Sequence, residues 1–270
     1  MINNKPIGIF DSGLGGLTVM SEIIKILPLE NFVYFGDTAH IPYGSKSKDV
    51  IIKYSKEIIF FLMKHKVKLI VVACNTASAF ILPILQKNFK ISIPVVEMIK
   101  SSIKAALVTS KNKKIGIIGT EGTINSGIYL KEINKISKCK IYQQACPLFV
   151  PLIEEGLNKG SIVDSVVKKY INPILRKKID TLILGCTHYP ILKKALSKNL
   201  GKNIKLINSA KTTAKEVKNT LNKMNILASK KCKKNKFFVS DNPEKFQRVG
   251  NYFFSKKILN LNVKKIEIKR

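Results

Sequence analysis

The chain has 270 residues, 45% hydrophobic and 24% charged, and no apolar run near the roughly 18 residues of a membrane span, which excludes a disordered chain and a helical membrane protein. The net charge of +31 comes from 45 lysines and only three arginines, Arg176, Arg248 and Arg270. Readers of phosphates and bases rely on arginine's fork, and the densest lysine run, residues 229–236, holds no aromatics, so salt-sensitive sticking to nucleic acid is expected but no specific nucleic-acid partner.

Residues 1–5 lead into a strand with no signal peptide. The five cysteines (Cys74, Cys139, Cys146, Cys186 and Cys232) are odd in number and show no pair at zinc-site spacing, so free thiols in a reducing cytoplasm are expected, with no metal. Residues 6–10 read as a first strand. It enters a glycine-rich turn, Asp11-Ser-Gly-Leu-Gly-Gly16, and then a helix with Leu17, Met20, Ile23, Ile24 and Leu27 at helical spacing. The glycines do not follow the dinucleotide fingerprint. They suit backbone N–H groups that approach an anion at a helix N-terminus, with Asp11 and Ser12 placed to bind or to cap.

Residues 31–35 form a second predicted strand, followed by Gly36, Asp37 and a loop through Pro42, Tyr43 and Gly44; residues 49–66 form an amphipathic helix. Residues 69–73 are unbroken apolar with three β-branched side chains, the composition of a parallel strand buried on both faces, and the run stops at Cys74, Asn75 and Thr76. Ligands bind in the crevice beyond such strand ends. A helix over 78–88, a strand over 94–97 and a helix over 99–109 follow.

Then the pattern restarts. Residues 114–118 echo the first strand, and Gly119-Thr-Glu-Gly-Thr123 replaces the first glycine turn. Ile7 and Ile115 stand 108 residues apart, as do Val33 and Ile141, while Cys74 and Cys186 stand 112 apart. These offsets predict a duplicated α/β unit. Helices are predicted over 161–177, 189–200, 210–224 and 243–254, and strands over 181–184, 204–208 and 237–240. The strand at 181–184 delivers Gly185, Cys186, Thr187 and His188 to its rim. The expected fold class is α/β: two similar, pseudo-symmetric lobes, each a mostly parallel sheet flanked by helices, with the active site in the cleft between them. Residues 1–97 and 209–270 are assigned to the first lobe and 98–208 to the second.

Two facing lobes bring two strand-end thiols to one cleft. Neither belongs to a Cys-x-x-Cys motif, which argues against disulfide exchange. A hydrolase built on Cys186 and His188 has no use for Cys74. A pair of thiols on opposite sides of a small substrate can invert a carbon centre: one removes a proton and the other returns one to the opposite face, their titrations coupled. Asn75, Thr76 and Thr187 can hold a carboxylate or ammonium, and His188 can help Cys186 ionise.

These blocks (Asp11-Ser-Gly-Leu-Gly-Gly16, Tyr34-Phe-Gly-Asp37 with Pro42-Tyr-Gly44, Ala73-Cys-Asn-Thr-Ala77 and Gly185-Cys-Thr-His-Tyr-Pro190) together resemble the glutamate branch of the aspartate/glutamate racemase family, over roughly residues 5 to 245. The resemblance implies a cytoplasmic racemase, independent of cofactor and metal, that interconverts L- and D-glutamate for peptidoglycan synthesis, with aspartate as the alternative substrate. It implies that Cys74 acts on the D isomer and Cys186 on the L isomer, with Asp11, Glu154 and His188 tuning the thiols. It assigns binding to Asp11 and Ser12, Tyr43 and Gly44, Asn75 and Thr76, Thr120 and Thr123, and Thr187 and His188. A homodimer is implied, and no membrane partner. The N-terminal extension with which some relatives respond to a peptidoglycan precursor is missing, so the resemblance leaves that response open.

Overall fold

The computed structural model describes residues 3–87, 92–230, 235–253 and 262–268. The first run of elements is β1 (Ile7–Asp11), α1 (Gly16–Ile26), β2 (Phe32–Gly36), α2 (Lys48–Lys64), β3 (Leu69–Val72), α3 (Asn75–Lys87) and β4 (Val95–Glu97). Then come α4 (Met98–Thr109), β5 (Lys114–Gly119), α5 (Glu121–Asn125), α6 (Ile128–Asn134), β6 (Lys140–Ala145) and α7 (Phe149–Glu154). Next are α8 (Ser161–Leu175), β7 (Thr181–Gly185), α9 (Lys193–Leu200), β8 (Lys205–Asn208) and α10 (Ser209–Lys223). The last are β9 (Lys236–Val239), α11 (Pro243–Phe253) and β10 (Val263–Lys265). Cys232 and half of the lysine run at 229–236 lie outside the described residues.

Two sheets result, one ordered β10-β9-β2-β1-β3-β4 and the other β6-β5-β7-β8. Every pairing in both is parallel. The order β2-β1-β3-β4 repeats as β6-β5-β7-β8, and the register repeats with it. Ile7 pairs with Leu69 in the first sheet and Ile115 with Thr181 in the second. Each cysteine therefore stands five residues beyond an equivalent pair. The echoed Ile-Gly-Ile has a packing cause as well: a Cβ on Gly8 would come within 3.2 Å of Val67, and one on Gly116 within 2.6 Å of Ile179. Val67 and Ile179 each lie two residues ahead of the start of the neighbouring strand.

The chain leaves the first sheet after β4 and returns after β8, at equivalent places. At each crossing the strand's last side chain caps the next helix. Glu97 accepts from the Ile99 and Lys100 amides, and Asn208 from those of Ala210 and Lys211. Apolar faces then sort the helices. Ala210, Ala214, Val217 and Leu221 of α10 join the core of β1 and α1, while Ile99, Ile103 and Ala106 of α4 join Ile115, Ile117 and Ile183 of the second sheet. Ala79 and Leu82 of α3 belong to that second core too, so the halves share apolar contact.

The returning segment is fixed by one buried ion pair. Lys68 Nζ lies 2.8 Å from Glu30 Oε2, with side-chain exposures of 1% and 2%. The same ammonium donates to the carbonyls of Asn3 (2.7 Å) and Ile226 (2.6 Å), and Glu30 accepts from the Ala228 amide (2.9 Å). Replacing one partner strands the other without water. Lys68→Met is expected to destabilise the protein by about 3–5 kcal/mol, measured as a lowered urea midpoint with unchanged slope.

Candidate active site

All the strand ends that the sequence marked meet at one place. Β1 delivers Asp11 and Ser12, β3 Cys74, β5 Thr120 and β7 Cys186, each at a carboxyl end. Between them lies a small cavity of about 20 Å³, lined by Ser12, Tyr43, Gly44, Cys74, Asn75, Thr76, Thr120, Glu154, Cys186, Thr187 and His188 together with Ile41, Pro42 and Val150. Of the residues predicted for the site, Asp11 and Thr123 stand one layer behind this lining. A cavity of this size holds about one water, so its walls must part to admit anything larger.

On one side, Cys74 stands at the start of α3. The helix begins at Asn75 rather than at Ser78, because the Cys74 carbonyl already accepts from the Ser78 amide (2.8 Å). The Cys74 Sγ accepts from the Ala77 N–H (3.4 Å) and donates to Ser12 Oγ (3.6 Å). Burial, and then the charge of Asp11, push this thiol up to about 12, against the Ala77 N–H and the Ser12 hydroxyl. Asp11 is itself fully buried. Burial raises its carboxyl, opposed by the charge of His188 and by the amides of Gly16, Gly13 and Ser12. Gly13 N–H donates to Asp11 Oδ2 at 3.0 Å. The anion that the glycine turn approaches is thus the chain's own Asp11.

On the other side, Cys186 Sγ lies 3.8 Å from His188 Nδ1, and His188 Nε2 lies 3.3 Å from Glu154 Oε1. The second contact is an ion pair rather than an aligned hydrogen bond, since neither atom has a hydrogen-bond partner among the described residues. Burial by itself lowers the imidazole's pKa. Contacts with Cys186 and Glu154 outweigh it and hold His188 well above its ordinary 6.5, as an imidazolium. Glu154 comes from the last turn of α7, a helix of six residues, too short to show a clear apolar period.

Hydroxyls and glycines close the remaining walls. Thr76, Thr120 and Thr123 form a triangle with Oγ1 separations of 2.8, 3.1 and 3.0 Å. The hydroxyl of Thr123 is spent inside this triangle. Gly44 is pressed so close to Thr120 that a Cβ would stand 2.7 Å from it. The Tyr43 hydroxyl donates to Asp37 Oδ2 (2.6 Å), and the other Asp37 oxygen contacts His40 Nδ1 and Ser240 Oγ, both at 2.8 Å. Asp37 was visible as a strand-end acid but was not singled out. Tyr129, whose hydroxyl accepts from Asn75 Nδ2 at 3.0 Å, gave no signal in the sequence.

Gly15 explains why the turn needs a second glycine. A Cβ there would meet Thr187 Oγ1 at 2.2 Å and the His188 ring at 2.7 Å. The loop that carries Cys186 rests directly on the α1 entry, and Thr18 Oγ1 donates to the Thr187 carbonyl at 3.1 Å.

This chain matches the Asp/Glu/Hydantoin racemase family over residues 26–217. It is 46% identical over 256 residues to a glutamate racemase of Geobacter metallireducens, covering 94% of each chain, and 42% identical over 264 residues to one of Persephonella marina, covering 98% of each. Among solved structures, a glutamate racemase isoform from Bacillus anthracis superposes with a TM-score of 0.92 at 38% identity, covering 98% of both chains. A glutamate racemase from Francisella tularensis, in complex with D-glutamate, superposes at 0.89 with 40% identity and the same coverage. A Picrophilus torridus aspartate racemase, 19% identical with a TM-score of 0.58 over 81% of this chain and 94% of its own, shares the fold.

Two measurements test the geometry of the site. Gly15→Ala displaces Thr187 and His188 and is expected to lower kcat/KM by roughly 10²-fold in a chain that still folds, as judged by circular dichroism. Glu154→Gln removes one of the charges that hold the imidazolium, so the His188 titration followed by NMR should move down toward the ordinary value. Stability follows the same sign. A raised histidine pKa contributes fully below about 6.5 and is lost as pH climbs through the folded value, so unfolding of Glu154→Gln should depend less on pH over that range.

Sharing the family's fold, and most of its length with these relatives, the chain belongs to the Asp/Glu/Hydantoin racemase family and is an isomerase, an amino-acid racemase.

Proposed function

We propose that this racemase interconverts L- and D-glutamate by proton transfer between Cys74 and Cys186, without a cofactor. The observation that carries the reading is the shared cavity: two thiols at equivalent strand ends of two different sheets line one small space. Their surroundings differ as two opposite protonation states require. Cys74, pushed up to about 12, enters as the thiol and proton donor. Cys186 faces an imidazolium, the counter-ion that a thiolate needs.

In the forward direction the Cys186 thiolate takes the α-proton of L-glutamate. The electron pair left behind is delocalised onto the α-carboxylate. Cys74 then delivers its proton to the opposite face, giving D-glutamate, a Cys186 thiol and a Cys74 thiolate. The reverse reaction restores the starting state, with Cys74 acting on the D isomer. The hydroxyls of Ser12, Thr76 and Thr187 line the same space and can stabilise the growing negative charge, where little water competes. Glutamate rather than aspartate is favoured by the relatives at 38–46% identity, which are named for glutamate. The D-isomer would serve peptidoglycan synthesis. We assign residues 1–97 and 209–270 to one lobe and 98–208 to the other, and the working unit to a cytoplasmic homodimer.

Cys74→Ser and Cys186→Ser are each expected to lower steady-state racemisation by roughly 10²–10⁴-fold, and the unaltered protein should carry solvent deuterium into the α-carbon of glutamate. A chiral assay with glutamate and aspartate side by side decides the substrate. Undiminished racemisation in either serine variant overturns the two-thiol reading.

A further inference from the structure

Tyr43 and Gly44 line the cavity, yet they belong to no strand or long helix. Their stretch makes only two short 3-10 turns, Thr38–His40 and Tyr43–Ser45. This part of the wall must therefore be held from outside. Tyr43 is 1% exposed, and its hydroxyl donates to Asp37 Oδ2. Asp37 follows β2, where its amide donates to the Asp11 carbonyl at 3.0 Å. That bond anchors the backbone of Asp37 but leaves its carboxylate free to turn. Oδ2 stays on Tyr43 only if Oδ1 is held as well.

Ser240, the residue after β9, supplies that hold. Its hydroxyl donates to Asp37 Oδ1, and its oxygen accepts from the Ala39 amide at 2.8 Å. An amide nitrogen can only donate, so the single serine proton is left for the carboxylate. His40 also meets Oδ1, but it belongs to the stretch being held and its side chain is 34% exposed. Next to this contact runs a second tie between the same segments. The Asp241 amide donates to Thr38 Oγ1 at 2.8 Å, and the Thr38 hydroxyl donates to the Asp241 carbonyl. This second tie does not involve the Asp37 carboxylate. The path from Ser240 thus runs through Asp37 to Tyr43, and Gly44 beside it packs on Thr120.

We propose that Ser240 is a positioning residue: by fixing the Asp37 carboxylate it holds Tyr43 and Gly44 in place as the wall against the bound amino acid. This rests on the reading of the cavity as an amino-acid site. Neither Ser240 nor Asp37 lines the cavity, and the two sulfurs are carried by the ends of β3 and β7. Loss of the serine hydroxyl therefore loosens binding and spares the proton transfers between Cys74 and Cys186.

The test is steady-state kinetics with L-glutamate on the whole chain. Ser240→Ala should raise KM about tenfold with kcat within about threefold. Ser240→Thr, which keeps the hydroxyl, should stay within about threefold of the unaltered KM. Thr38→Ala cuts the neighbouring tie alone and should leave KM within about twofold, which separates a brace on Tyr43 from simple fastening of the two segments. In a Tyr43→Phe background, Ser240→Ala should add nothing to KM. An unaltered KM in Ser240→Ala, an equal rise in Ser240→Thr or Thr38→Ala, a loss confined to kcat, or a full additional rise in the Tyr43→Phe background overturns the proposal. If Ser240→Ala fails to fold, Asp37→Asn, which keeps the shape but only one acceptor oxygen, decides with and without Tyr43→Phe by the same criteria. An unaltered protein that does not racemise glutamate defeats the underlying reading, whereas an active protein indifferent to Ser240 defeats only the brace.

Discussion

A buried imidazolium held between a sulfur and a carboxylate is the interaction on which the rest of the site depends. An isolated histidine this deeply buried would be neutral, because burial penalises the charged form. His188 keeps its proton only because Cys186 and Glu154 are both within reach. Its charge extends further, drawing down the carboxyl of Asp11 across the cleft. Asp11 in turn bears on Cys74 and helps to push that thiol up. The two sulfurs are therefore linked by a sequence of charges running from Glu154 through His188 and Asp11. This sequence makes them unequal although the backbone has made them equivalent.

That equivalence comes from topology. Repetition of strand order and register puts each cysteine at the same step beyond its strand pair, and no side-chain interaction is needed to explain it. What differs is the following residues. Cys74 is followed by Asn75 and Thr76 on a full helix, whose Ala77 N–H faces the sulfur. Cys186 is followed by Thr187 and His188 on a short turn that rests against Gly15. On the two-thiol reading, a duplicated scaffold supplies symmetry where a planar carbon intermediate needs two opposed faces. The local sequence then breaks the symmetry where, on that reading, the two thiols take different roles.

The parts of this arrangement that were legible in the sequence are those written in periodicity and spacing. Apolar β-branched runs announced β3 and β7, and the offsets between the halves announced the repeated order. Thiols and hydroxyls at strand ends are recognisable because a parallel sheet leaves few other places for such residues. Residues that act across the fold were not legible. Tyr129 meets Asn75 from 54 positions away, and no local pattern distinguishes a tyrosine that supports an amide from one that fills a core. Gly15 reads as part of a flexible turn, yet its constraint is the approach of Thr187 and His188 from the other half. The strand β10 was missed too: it is only three residues long, and its burial is partial or absent, so it carries no hydrophobic signature.

The small volume of the cavity has a consequence for the chemistry. A thiol pushed up to about 12 holds its proton firmly, so its thiolate is costly to form, although a strong base once formed. The burial that raises it also removes competing water, which strengthens every charge in the space. An amino acid brings its own ammonium into that space. The positive charge opposes the field of Asp11, which is the second cause of the shift at Cys74, and it does so only while the ligand is bound. Under the two-thiol reading, the substrate thus makes the Cys74 thiolate less costly in the half of the cycle where that thiolate must exist. On that same reading, a carboxylate behind one sulfur and an imidazolium beside the other let weak acids exchange a proton with carbon without an added electron sink.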